Sequence, residues 1–200
     1  MANKGLDITK EPLKDEQFEK IRTKMNSVDK LTDIYRAYKL IAYTGMHSRV
    51  LFPFDYNDDK THIKEYNLHT SKDGKGRDVL VWDRPKKKGA KAFTEVLHHP
   101  EIDFDVDEFV KEIRSRASKY KRSTNYAHKL IKEVGEKIKV YDMSPLTLRH
   151  TLAVKLVKGG MNRNVVCDTL NIAPTTLRTY ARLLTEDRHD EYAEAMGMGA

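Results

Sequence analysis

The stretch SPLTLRHTLAVKLVKGG, residues 144–160, decides the fold class of this chain. Ser144 belongs to the residue types that cap helix N-termini, and a proline suits the first helical position after such a cap. The paired glycines are a stop signal, because glycine readily adopts the left-handed conformation that ends many helices. The stretch therefore predicts a helix that begins at Pro145 and ends at the glycine pair, near Gly159.

Helical patterns also lie on both sides of this stretch. Apolar residues that recur at spacings of three and four indicate amphipathic helices. They predict helices at about 12–25, 29–44, 106–121, 124–137, 163–170 and 174–185. Gly45 follows the second of these as a left-handed end residue. One more helix is expected to open in the basic stretch 84–91 and to stop near His98, before Pro100.

Two segments, 62–68 and 78–82, are rich in strand-forming residues. The sequence SKDGKGR between them contains two glycines and marks a turn, so the segments predict a hairpin. The expected fold class is mainly α with a small antiparallel β-hairpin or sheet, in one domain over residues 12–185. Residues 1–11 are expected to be a flexible N-terminus, and residues 186–200 a C-terminal tail.

The charge composition limits the class of partner. Lys and Arg number 37 against 30 for Asp and Glu, which gives a formal net charge of +7. A basic chain favours polyanionic partners, with nucleic acid first and an acidic membrane surface second. Many basic proteins bind no polyanion, so charge alone does not decide the function.

Cysteine and histidine usage argues against a metal centre. Cys167 is the single cysteine, which excludes a disulfide within the chain and a thiolate zinc cluster. The pair His98 and His99 lacks the further ligands of a metal-binding pattern, so we expect no metal and no cofactor. No apolar run is long enough to cross a membrane, and the N-terminus lacks the apolar core of a signal peptide. We therefore expect a cytoplasmic chain with no membrane partner.

Four segments follow one another in an order known from one protein family. They are YTGMHSRVL at 43–51, TSKDGKGRDVLV at 70–81, the stretch at 144–160, and NVVCDTLNIAPTTLRTYARL at 164–183. In turn they resemble the T-G-x-R segment, the lysine-bearing β-hairpin, the H-x-L-R-H-T-x-A helix and the closing L-G-H…T-T…Y segment of the tyrosine recombinase (phage integrase) catalytic domain. The resemblance covers about residues 14–184 and implies the fold of that domain.

Members of this family cut DNA by the attack of a tyrosine on a phosphodiester, without a metal ion. The resemblance implies that Tyr180 is the nucleophile and that Arg149 binds the phosphate. It also implies that Lys72 is the hairpin lysine that protonates the leaving oxygen, with Lys75 as the substitute if the turn register slips. Each has a structural alternative: the tyrosine could pack in the core, the lysine could be solvated, and the arginine could form an ion pair.

Three positions depart from the family's catalytic set. His47 stands in place of the first arginine, and Ile172 in place of the histidine of L-G-H. Leu146 stands in place of the histidine three residues before Arg149. Loss of one preorganised charge donor costs about 3–4 kcal/mol of barrier, so three vacancies indicate little or no cleavage. A protonated His47, or Arg49 two residues on, would be partial substitutes, and whether the chain is an enzyme stays open.

Basic residues are candidates for contacts with DNA phosphates, which supply most of the affinity for duplex DNA. They fall in two stretches and comprise Arg84, Lys86, Lys87, Lys88, Lys91, Arg114, Arg116, Lys119, Lys121 and Arg122. His150, next to Arg149, is a further candidate. Residues 162–183 also resemble a helix-turn-helix locally, with Arg178 exposed on its second helix. A solvated charged surface is the alternative for each stretch.

Two functions have double-stranded DNA as partner. One is a cleavage-impaired regulator or accessory factor in the DNA transactions of a mobile element. The other is a minimal active recombinase that integrates or recombines DNA through a phosphotyrosyl intermediate. A protein-interaction module on the same fold is a third possibility. A homo-oligomer could form through the tail residues Tyr192, Met196 and Met198, and a viral or mobile-element origin is implied by the resemblance alone.

Overall fold

The computed structural model of the chain describes residues 12–52, 66–84, 93–120, 124–141 and 143–182, apart from the side chains of residues 117–120, 124–125 and 179–182. These parts form α1 (Asp15–Asn26), α2 (Asp33–Thr44), α3 (Ser48–Leu51), β1 (Leu68–Lys72), β2 (Asp78–Asp83), β3 (Phe93–Leu97), α4 (Val106–Tyr120), α5 (Thr124–Lys137), α6 (Pro145–Lys158), α7 (Arg163–Leu170) and α8 (Pro174–Arg182). The predicted fold class is confirmed. None of the described helices is long and apolar enough to cross a membrane.

The three strands form one antiparallel sheet in the order β1-β2-β3. Strands β1 and β2 are the predicted hairpin, although the expected first strand at 62–68 overlaps β1 only at Leu68. Most of that expected strand lies outside the described residues. The turn is held by Asp73, whose carboxylate accepts hydrogen bonds from the backbone N–H groups of Lys75 and Arg77. These bonds fix the register of the hairpin.

Strand β3 shows that the prediction of a helix stopping near His98 was wrong. Thr94 is buried and Val96 half-buried, whereas Phe93 and Leu97 are exposed. This alternation has the period of two that belongs to a strand, and the edge of β2 supplies its hydrogen-bond partners. Pairing with β2 therefore decides the conformation of this segment. The basic sequence before it gives no sign of this pairing.

Helix α2 forms the centre of the main hydrophobic core. Tyr38, Leu40 and Ile41 are fully buried in it, and the helix packs against α5 and α6. Burial of each large apolar side chain stabilises the fold by about 1.5–3 kcal/mol. The predicted helix at 29–44 is thus confirmed, with its start at Asp33.

A lysine in α2 is buried with its charge compensated. Lys39 is 1% exposed, and its ammonium lies 2.5 Å from the carboxylate of Glu101. It also donates a hydrogen bond of 3.2 Å to the side-chain oxygen of Asn26. The bond from Lys39 holds the pKa of Glu101 below its usual value. Because an unpaired buried charge is costly, this pair fixes α2 against the segment that precedes α4.

Helix α2 ends at Gly45, as predicted, with the left-handed φ of 64°. A Cβ at this position would lie 2.4 Å from Cδ2 of Leu170, so a larger residue here would force that side chain to shift. The chain then turns into the short helix α3. Gly45 therefore determines where the residues that follow it lie relative to α6 and α7.

A second, smaller core joins the last three described helices. Ala153 of α6, Val166 and Leu170 of α7, and Leu177 of α8 are buried together. The apolar spacing that predicted helices at 163–170 and 174–185 therefore reflects this packing, although residues after 182 lie outside the described chain. This core holds α8 against α6.

Candidate functional site

A cleft of about 290 Å³ opens where α3, α5, α6 and α8 come together. Side chains of four chemical kinds line it: imidazoles, one guanidinium, hydroxyls and apolar groups. They include His47, His128, Leu146, Arg149, His150 and Ile172. The residues come from widely separated parts of the chain, so the cleft is a product of the tertiary fold.

Three residues near the start of α6 line the cleft. The Ser144 hydroxyl accepts a hydrogen bond of 3.2 Å from the backbone N–H of Thr147, which is the predicted N-cap. Because the helix begins at this point, Leu146, Arg149 and His150 are three and four residues apart and share one face. All three line the cleft.

The other side of the cleft carries His47, the N-cap of α3. Its Nδ1 accepts a hydrogen bond of 3.1 Å from the backbone N–H of Arg49. The cap bond therefore uses the lone pair of Nδ1. His47 lines the cleft with an imidazole whose Nδ1 is engaged by the backbone.

The arginine of α6 is held by the end of α7. Arg149 Nη2 donates a hydrogen bond of 2.6 Å to the backbone carbonyl of Leu170. Asn171 then adopts a left-handed conformation with φ of 50°, which turns the chain out of α7. Ile172 follows and lines the cleft. The guanidinium and this apolar side chain are therefore positioned by the same helix end.

A second cavity of about 290 Å³ adjoins the first and shares His47 and Arg149 with it. Arg84, which directly follows β2, lines its other side. The Arg84 side chain donates from Nε to Thr94 Oγ1 at 2.8 Å and from Nη1 to the Asp168 carboxylate at 3.0 Å. Two arginines thus line one cavity.

Neither a protein-family model nor a curated protein sequence matches this chain significantly. Solved structures do match it. The XerH site-specific recombinase, in a post-cleavage complex with a palindromic difH substrate, matches with a TM-score of 0.60 at 16% identity, over 92% of this chain and 52% of that one. The XerA recombinase matches with a TM-score of 0.56 at 16% identity, over 92% of this chain and 64% of that one. The Tn1549 transposon integrase, in complex with transposon right end DNA, gives 0.53 at 15%, over 93% and 66%.

The chain has the fold of the tyrosine-recombinase catalytic domain. It spans between about half and two thirds of the length of these three solved proteins. At such low identity the likeness establishes the fold, and the residues of the site must be judged from their own geometry.

Within the tyrosine-recombinase fold, the three departures from the catalytic set lie together. His47, Leu146 and Ile172 all line the cleft that contains Arg149. Leu146 is 45% exposed, so an apolar side chain stands open to a ligand where the family motif has an imidazole. The three predicted vacancies therefore line a single cleft.

The hairpin lysines do not line either cavity among the described residues. Lys72 lies at the end of β1, where its ammonium is 2.6 Å from the Asp78 carboxylate and its side chain is mostly exposed. Lys75 is exposed in the turn. Tyr180 belongs to α8 and follows the cleft residue Thr176 by one helical turn, but its side chain lies outside the described part. Their catalytic roles stay predictions.

Apart from Arg84 and His150, which line the cavities, the predicted DNA contacts fall into three groups. Arg114 donates to the backbone carbonyl of Val50 at 3.2 Å, and Arg116 lies 2.8 Å from the Asp33 carboxylate, so both guanidinium groups already have protein partners. Arg178 is exposed on α8. The others lie outside the described residues or, for Lys119, have an undescribed side chain: Lys86, Lys87, Lys88, Lys91, Lys119, Lys121 and Arg122. The tail residues Tyr192, Met196 and Met198 also lie outside.

Sequence reasoning missed His128 of α5, which lines the cleft. In the sequence it is one polar residue on an amphipathic helix, and no local pattern relates it to Leu146. Its place depends on how α5 packs against α3 and α6. Within the described ranges, no group of three or more His, Cys, Asp or Glu side chains could hold a metal ion.

Proposed function

We propose that this chain binds double-stranded DNA at the cleft, is impaired in strand cleavage, and acts as a regulator or accessory factor in DNA transactions. The XerH recombinase and the Tn1549 integrase, which share its fold, were both solved with DNA. The formal net charge of +7 suits the same partner. Assembly through residues 186–200 and an origin in a mobile element or virus belong to the same proposal.

One observation carries the proposal of impaired cleavage: His47, Leu146 and Ile172 line the same cleft as Arg149. The transition state of phosphodiester cleavage gathers negative charge on the phosphate oxygens, and fixed donors must meet that charge. Two of the three replaced positions are hydrocarbon side chains. The third is an imidazole, which lacks the paired donors of a guanidinium and whose Nδ1 accepts the cap bond. Each missing donor costs about 3–4 kcal/mol of barrier.

We expect DNA binding to tolerate the loss of these charge donors better than strand cleavage does. Affinity for duplex DNA comes from many phosphate contacts that add together, whereas cleavage needs every donor around one phosphate. Arg149 provides a guanidinium in the cleft, and Arg178 is exposed on α8. A protein that retains the fold and these charges is therefore expected to hold DNA without cutting it.

A second candidate function, a minimal active recombinase, is favoured by a different observation. His128 and His150 line the cleft together with Leu146. Imidazoles transfer protons near neutral pH and could take over the work of the missing histidine. In that case Tyr180 would form a covalent bond to DNA, and His128→Leu would reduce the yield of that adduct.

The proposal is tested by mobility shifts on duplex fragments of the replicon that encodes the chain, between about 50 and 200 mM salt. Arg149→Gln should bind about tenfold more weakly and lower the slope of log affinity against log salt by about one. Lys20→Gln is the matched control, since it removes one charge from the exposed side of α1, which lines neither cavity. It should bind as the wild type does. A wild type that shifts no fragment at the lowest salt would refute DNA binding.

A further inference from the structure

The second cavity contains a guanidinium that is held in place by the protein. Arg84 is 7% exposed, which means that its position is set by its surroundings. Its bonds to Thr94 Oγ1 and to the Asp168 carboxylate employ Nε and Nη1. These two bonds use only part of the donor set of a guanidinium, and among the described residues no partner is found for Nη2. Donors of a preorganised arginine thus remain for a ligand in the cavity that Arg84 lines.

The cavity also has the size and the second charge that an anion requires. Its volume of about 290 Å³ matches the lower end of small-ligand pockets, roughly 300 Å³. Arg149 also lines it, together with the indole of Trp82. Arginine forks bind phosphate oxygens in pairs and hold their charge at every physiological pH. Two such groups in one cavity are a suitable arrangement for a phosphate.

We propose that this cavity binds a phosphate group between Arg84 and Arg149, so that Arg84 supplies a second guanidinium in place of the one that the chain lacks at His47; the impairment of cleavage then rests on Leu146 and Ile172. The inference rests on the proposed function, since the phosphate is then part of the DNA backbone. Free inorganic phosphate has the same chemistry and is the other source. Arg84 thereby acts at the cavity itself and not as part of the basic stretch that follows it in the sequence.

Nearby negative charges do not cancel the positive charge of the two arginines. The Asp168 carboxylate neutralises part of the charge on Arg84, but its side chain is 48% exposed and solvent weakens its repulsion of an anion. The carbonyl end of α7 also repels anions. Arg149 offsets that effect because it bonds to the Leu170 carbonyl. The two arginines therefore leave the cavity with a net positive charge.

The first experiment measures thermal unfolding in inorganic phosphate and in sodium chloride at equal ionic strength. Arg84→Gln and Asp168→Asn are a matched pair, because both break the same ion pair and only the first removes the guanidinium. Phosphate should raise the Tm of the wild type and of Asp168→Asn, and should leave that of Arg84→Gln unchanged. Arg84→Lys keeps the charge and loses the fork, so a smaller rise is expected; it also serves if Arg84→Gln fails to fold.

The second experiment measures DNA binding by the same variants. Arg84→Gln should bind duplex DNA about tenfold more weakly and lower the salt slope by about one, while Asp168→Asn should bind at least as tightly as the wild type. If Arg84→Gln and Asp168→Asn behave alike in both assays, Arg84 is only a structural ion-pair partner and the inference fails. DNA binding that is indifferent to Arg84 refutes this site and leaves the proposed function intact. A phosphate effect that requires Arg84, in a chain that shifts no DNA, supports the site and refutes the proposed function.

Discussion

Arg149 Nη2 donates a hydrogen bond of 2.6 Å to the backbone carbonyl of Leu170, and so joins α6 to the last residue of α7. The final carbonyls of a helix have no partner within it, and this bond satisfies one of them. The same contact holds the guanidinium where the two cavities meet. Arg149 therefore has a structural role beside its proposed role at a phosphate.

The structural role predicts that Arg149→Gln lowers the free energy of unfolding by about 1.5 kcal/mol, which is the usual worth of a hydrogen bond from a charged donor. Urea unfolding followed by circular dichroism measures it. Since this loss is small, the variant should remain folded in the DNA-binding assay. A stability equal to that of the wild type would contradict the role of the Leu170 contact.

Glu101→Gln should lower the free energy of unfolding by about 2 kcal/mol, because it removes the charged partner of Lys39, which is 1% exposed. Glu136→Gln is the control, since Glu136 pairs with Lys132 at 3.6 Å between two exposed side chains. Exposed pairs of this kind contribute about 0–1 kcal/mol. Equal losses in the two variants would contradict the importance of burial at Lys39.

The pH dependence of the unfolding free energy should include a contribution from the titration of Glu101. The bond from Lys39 lowers its pKa in the folded chain below the usual value of 4.5. The stability that it contributes is therefore fully present above that value and is lost as the pH falls through the folded pKa. Urea titrations of the wild type and of Glu101→Gln should converge as the pH is lowered below about 4.5. A constant difference down to strongly acidic pH would exclude this carboxyl as the cause.

Gly45→Ala should destabilise the chain by about 2 kcal/mol, because φ is 64° and the new Cβ would meet Leu170 Cδ2 at 2.4 Å. Gly74→Ala is the matched control: no atom lies within 4 Å of its Cβ position. It should change the unfolding free energy by less than about 0.5 kcal/mol. Thermal unfolding of both variants checks this expectation, and a tolerated alanine at position 45 would contradict the close approach of α7.

Local signals predicted most of the helical framework. The N-cap at Ser144 and the left-handed end at Gly45 both occur as expected, because capping depends on residues that are adjacent in the chain. Strand β3 could not be predicted in this way. Its conformation depends on hydrogen bonds to β2, which belong to the tertiary fold.

The residues of the candidate site likewise comprise some that the sequence predicts and some that only the folded structure reveals. Its motif positions, His47, Leu146 and Ile172, could be identified from the sequence because each lies within a recognisable segment. His128 and the buried setting of Arg84 could not, since α5 and the end of β2 meet the cavities only after the chain has folded. Comparison with a family motif identifies positions along the sequence, whether or not the residue there is the motif's own, and packing reveals residues that lie outside any motif.

DNA binding without cleavage can be distinguished from recombination with nicked duplexes in which cleavage releases a short fragment, so that any phosphotyrosyl link is trapped. Wild type and Tyr180→Phe are incubated with a pool of such duplexes from the replicon that encodes the chain. A denaturing gel detects covalent adducts, and a mobility shift on the same samples detects binding. We expect shifted DNA and no adduct with either protein. An adduct that forms with the wild type and disappears with Tyr180→Phe would contradict the proposal of impaired cleavage and identify an active recombinase.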